Sequence, residues 1–98
     1  MSDPANLGEL MEGAALNTRH AFVSRDLVSR YAKMLLKDGT EAPPIKVDGE
    51  TIVDGNHRYI ADKLARRRDY DGPPLRSVPG VLTPKSGPII PWSHVKWY

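Results

Sequence analysis

The sequence predicts a small α+β domain in which a short sheet is flanked by helices. Three observations carry that reading. Leu27, Val28, Tyr31, Met34 and Leu35 recur at helical spacing and make one apolar stripe. Two short runs, "IKV" and "ETIV", flank an Asp48-Gly49 hairpin turn signal. A second helical stretch follows at once from "DGNHR", with Tyr59, Ile60 and Leu64 on its apolar side and Ala61 and Ala65 beside them.

The elements follow in order. Leu7, Leu10, Met11 and Ala14 stand at helical spacing, but Gly8 and Gly13 weaken the run, so a short or frayed helix is expected. "NTRHAFV" reads as a connector that enters a short strand at Phe22–Val23. Ser24 is a good N-cap, Asp26 suits the positive end of the helix dipole, and Gly39 is the expected stop of the first long helix. Pro43 and Pro44 impose an extended entry to the strand holding Ile45 and Val47. Asp54-Gly55 ends the returning strand, and Asn56 or a neighbour opens the second long helix, which Arg66, Arg67 and Arg68 close. "DYDGPP" is a turn cluster, and "LRSVPGVL" suits a short edge strand interrupted by Pro79.

Ninety-eight residues fit a single domain, with a core over about 22–80 and a packed tail over 81–98. Six of the nine prolines lie between Pro73 and Pro91, so the C-terminal third should be loop-rich. Its Ile89, Ile90, Trp92, Val95 and Trp97 are too apolar for a solvated linker and should pack on the domain or on a partner. A net charge of +2 permits nucleotide or nucleic-acid binding without requiring it. The absence of cysteine excludes disulfides, thiolate metal sites and cysteine nucleophiles. No run approaches the roughly 20 apolar residues of a membrane span, and "MSDPANLGEL" lacks a Sec-type leader pattern. A cytoplasmic protein is expected, or one delivered into a target cell by a specialised machine.

The stretch "DGNHR" concentrates the chemistry. The first N–H groups of a helix lack intrahelical partners, and the helix dipole places partial positive charge there. A glycine lets a ligand come close to the backbone. The combination suits an anion, most naturally phosphate. Arg58 offers a planar donor fork, and His57 a hydrogen-bond donor or proton shuttle near neutral pH. The same residues also have plain readings: a turn at Asp54-Gly55, a cap at Asn56, a structural histidine at 57, a surface arginine at 58. Both sets of readings stand on the sequence.

The run "APPIKVDGETIVDGNHRYIADKLA" (42–65) resembles the ParB/sulfiredoxin-like superfamily, whose signature is a helix, a "PPI-V" strand, a strand ending in "DG-HR", and a helix with an early alanine. The resemblance covers about residues 22–80. It implies a short mixed sheet flanked by helices, and a site at Gly55, Asn56, His57 and Arg58 for phosphates of ATP, another nucleotide or nucleic acid. Sulfiredoxins carry a cysteine where this chain has Asn56, so that chemistry is excluded in its known form. The chromosome-partitioning clamps carry a Glu-Arg-Arg version of the turn and further DNA-binding helices, both absent here. The tail "IIPWSHVKWY" is similar to the ends of toxin modules of this superfamily in bacterial polymorphic toxins. That likeness implies a cognate immunity protein as partner.

The expected function is therefore that of a phosphate-site enzyme, a nuclease or nucleotide phosphohydrolase or phosphotransferase. The alternative is a non-catalytic nucleotide- or DNA-binding regulatory module. Such catalysis needs a cradle, a base and commonly Mg²⁺ held by carboxylates. His57 is the candidate acid–base group, with Asp54 and Glu41 as the candidate carboxylates. His20 and His94 are isolated and show no metal-site spacing with His57. The three closing arginines read as helix C-terminal cations ahead of a nucleic-acid patch, and Trp92 and Trp97 as packing residues ahead of base-stacking platforms.

Overall fold

A computed structural model describes residues 7–38 and 42–98. The chain folds as an α+β domain with three α-helices and two small sheets. A single turn α1 (Leu7–Leu10) leads to β1 (Phe22–Val23) and the long α2 (Arg25–Asp38). The hairpin β2 (Ile45–Asp48) and β3 (Thr51–Asp54) runs directly into α3 (Asn56–Arg67). A short β4 (Ser77–Pro79) follows, and the tail ends in β5 (Lys96–Trp97). The larger sheet is mixed, in the order β3-β2-β4, with β3 antiparallel and β4 parallel to β2. Pro79 sits in an edge strand, where a missing backbone donor costs least.

Helix α2 starts as expected: the Ser24 hydroxyl accepts from the Leu27 backbone N–H at 3.3 Å. The centre of its buried face differs from the predicted stripe. Val28, Ala32 and Leu35 are buried at one helical spacing, whereas Met34 is exposed. The face is centred on Ala32 because α2 packs closely on α3, where Ala61 and Ala65 are equally sealed. Methyl side chains let the two backbones approach, and bulkier residues go to the margins. Leu27 and Tyr31 are thereby left half-buried on the flank nearest the start of α3. The predicted stop, Gly39, lies outside the described residues.

The hairpin turn is one residue later than its sequence signal. Asp48 pairs with Thr51, so the loop residues are Gly49 and Glu50, and Gly49 takes the positive φ of +61°. The register then slips: Val47 faces Ile52, but Lys46 faces Asp54. Val53 is the extra residue of this bulge, which bends the end of β3 toward the start of α3.

The tail packs on the domain itself. β5 runs parallel beside β1, with Lys96 N–H donating to Ala21 O at 2.9 Å and Tyr98 N–H to Val23 O at 3.0 Å. Val95 is buried in the main core with Leu7, Leu10, Met11 and Val23. Trp92 lies against Tyr59, and its indole N–H donates to Leu16 O at 3.0 Å. α1 rests on the Trp92 turn so tightly that a Cβ at Gly8 would sit 2.9 Å from the Ser93 Cα. The glycine that weakens the helical pattern is what lets α1 dock. Among the described residues no helix is long and apolar enough to cross a membrane.

Candidate functional site

The bulged end of β3 delivers Asp54 and Gly55 to the head of α3. Gly55 occupies the N-cap position with φ +105° and ψ +24°, and no side chain caps the helix. A Cβ there would lie 2.4 Å from the Ile45 Cγ2, so both the dihedral and the space demand glycine. Asn56 is therefore the first helical residue rather than the cap, and its side chain is buried instead of bonding the helix end. It accepts a hydrogen bond at 2.6 Å from the hydroxyl of Thr18, a residue with no exposed surface.

His57 is half-buried beside the start of α2. Its Nε2 accepts the Ser24 backbone N–H at 2.9 Å. The bond fixes the tautomer: the lone pair is on Nε2 and the proton on Nδ1, so this ring is neutral. Burial pushes the His57 pKa below its ordinary 6.5, and the neighbouring His20, edge-on at 6.4 Å between ring centroids, pushes it the same way. Any proton that His57 exchanges with a ligand must use Nδ1, because Nε2 already holds α2 in place.

Arg58 turns back across the head of its own helix. One guanidinium nitrogen donates to the carbonyls of Pro43 and Pro44, each at 3.2 Å, and the other reaches Asp54 Oδ2 at 3.3 Å. The arginine thus ties the proline-led entry of β2 to the end of β3. The Asp54 side chain is 67% exposed, so its ion pair with Arg58 contributes little to stability and can exchange for another anion. It leaves Asp54 at the rim rather than poised in the interior.

These residues line a cavity of about 160 Å³, closed on the α2 side by Leu27 and Tyr31 and on the β3 side by Val53. The volume is below the roughly 300–1,000 Å³ usual for a small-molecule site. It suits a single phosphate-sized group with the rest of a ligand lying outside. The structure therefore brings together five of the sequence-predicted residues: Asp54, Gly55, Asn56, His57 and Arg58. Glu41, the remaining candidate, lies outside the described residues. His20, read from sequence as isolated, stands beside His57 and lines the same cavity. Thr18 and Ser24 were not legible as site residues, because each acts across more than thirty positions of chain.

Among the described residues no group of three or more His, Cys, Asp or Glu side chains is placed to hold a metal ion together. Among the described residues Asp54 is the single carboxylate lining the cavity, and it is the side chain among them that Mg²⁺ would meet there. The closing arginines are engaged elsewhere. Arg66 bonds Asp62, Gly72 O and Pro73 O and stacks on Tyr70, while Arg67 donates to Glu9 O at 2.9 Å. Compared with known proteins, the chain matches no family model, no curated protein and no solved structure.

Proposed function

We propose that the Asp54–Arg58 turn binds a phosphate group of a nucleotide or nucleic acid, and that the protein acts on that ligand as a nuclease or nucleotide phosphohydrolase. One observation carries the reading: the uncapped head of α3 opens on a phosphate-sized cavity lined by Gly55, Asn56, His57 and Arg58. The α3 amides and dipole supply positive potential, His57 Nδ1–H a further donor, and Arg58 a guanidinium whose exposed partner Asp54 is replaceable. Asp54, released from that pair, is the carboxylate among the described residues that lines the cavity and would activate a water or hydroxyl. The ParB/sulfiredoxin-like resemblance supports the same ligand class. The bacterial toxin reading, with its immunity-protein partner, rests on that resemblance alone.

A second reading, a non-catalytic binding module, has its own support. The Nε2 lone pair of His57 is already spent on Ser24, and Asp54 stands at the rim. Both features favour holding a phosphate over attacking one.

A thermal-shift panel separates these outcomes. ATP, ADP, CTP, GTP and a short oligonucleotide are each added with and without Mg²⁺, to wild type and to Arg58→Ala. Ligand at one hundred times its dissociation constant adds about 2.7 kcal/mol of stability. A midpoint rise with one ligand, lost in Arg58→Ala, supports the site; no rise with any of them refutes it. Mg²⁺ alone is expected to leave the midpoint unchanged. Turnover of the binding ligand, abolished by Asp54→Asn, identifies the enzyme, and binding without turnover identifies the module.

A further inference from the structure

We infer that the Asn56 carboxamide is a ligand-contacting donor of this site and that Thr18 is the residue that aims it, an assignment that rests on the phosphate reading above. Asn56 is 3% exposed and Thr18 is fully buried, yet Asn56 lines the cavity. The Thr18 hydroxyl oxygen accepts the His20 backbone N–H at 3.1 Å. Its own proton is then free to be donated, and it goes to Asn56 Oδ1 at 2.6 Å.

That polarity decides which end of the amide faces the ligand. Oδ1 is occupied from behind, so the two N–H donors of Nδ2 are the ones left over. Nδ2 has no hydrogen-bond partner among the described residues and is not sealed from solvent. An amide buried to this extent with its donors unspent is costly unless something accepts from it. The open side is the cavity at the positive end of α3, where an acceptor-rich anion fits and a cation does not. Rotating the amide would present Oδ1 to the cavity instead, but it would set the Nδ2 donors against the Thr18 hydroxyl and take from that fully buried hydroxyl the acceptor of its proton. Thr18 therefore locks the donor face forward and sets the preference of the site for acceptor groups such as phosphate oxygens.

The measurement is a titration of inorganic phosphate, read by the side-chain ¹⁵N–¹H₂ signal of Asn56 and by the dissociation constant. Phosphate should shift that signal in wild type. Thr18→Ser, which keeps the hydroxyl, should bind within about twofold of wild type. Thr18→Val, which keeps the shape, should bind roughly tenfold more weakly, the factor that follows from losing one neutral hydrogen bond. Asn56→Asp can still accept from Thr18 but turns a donor into a negative charge, and should not bind. If wild type binds phosphate while the Asn56 signal stays put, or while Thr18→Val binds as tightly as wild type, the assignment is wrong and the phosphate site survives it. If wild type binds no phosphate, both fall together.

Discussion

The two ends of α3 differ in formal charge and in what their polar groups are free to do. The C-terminal end carries Arg66-Arg67-Arg68, the most concentrated positive charge in the chain. The N-terminal end carries one arginine, one histidine and a glycine. Yet the guanidinium of Arg66 is consumed by Asp62, by the carbonyls of Gly72 and Pro73, and by the Tyr70 ring. Arg67 is bonded to the backbone at Glu9. These side chains clamp the loops that follow and precede the helix. At the other end Asn56, His57 and Arg58 are braced by Thr18, Ser24, Pro43 and Pro44, and all three line an open cavity where the remaining partner of Arg58 is the exposed Asp54. Formal charge is a poor guide to an anion site when the charge is already spent; unspent donors in a fixed array are a better one.

The largest effect that tests this contrast is Gly55→Ala. The left-handed backbone and the 2.4 Å approach to Ile45 should together cost about 3 kcal/mol in chemical denaturation. A loss below 1 kcal/mol would mean the turn is softer than its geometry and is no rigid cradle. Arg66→Ala should cost about 1–2 kcal/mol through its lost carbonyl bonds, while phosphate affinity stays within twofold. Weakened phosphate binding in Arg66→Ala would break the contrast, because it would place ligand at both ends of the helix.

Arg58→Lys is the mirror case. A lysine keeps the charge but cannot span Pro43, Pro44 and Asp54 with one planar fork, so stability should drop by about 1 kcal/mol and phosphate affinity roughly tenfold. Unchanged affinity would show that only charge matters there. The smallest effect concerns His57. Its folded pKa lies below 6.5, so the unfolded chain takes up the proton first as pH falls. Stability from this residue is full above pH 6.5 and declines as the pH drops toward the folded value. The melting midpoint should therefore fall between pH 7 and 5, and His57→Gln should flatten that fall. An equal slope in both proteins would place the titration elsewhere.

Much of the fold was legible because its signals are local. A capping serine, an apolar stripe, paired prolines and an Asp-Gly turn each act within a few residues, and each stands in the structure within a residue or two of its expected place. The errors came from packing. The sequence centres the α2 stripe on its largest side chains, whereas the packing against α3 buries Ala32 completely and leaves Met34 exposed. The sequence leaves the tail open between domain and partner, since nothing local in "HVKWY" specifies β1 as its mate.

The helices, the hairpin and the "DGNHR" turn follow from local sequence, because backbone dihedrals and helix caps answer to near neighbours. What that turn's side chains are free to do follows from packing between distant parts of the chain. Thr18 lies thirty-eight residues before Asn56 and Ser24 thirty-three before His57, and hydrogen bonds over such separations follow from how α2, α3 and the bulged β3 pack. Those bonds set which donor faces the cavity and which histidine nitrogen keeps its proton.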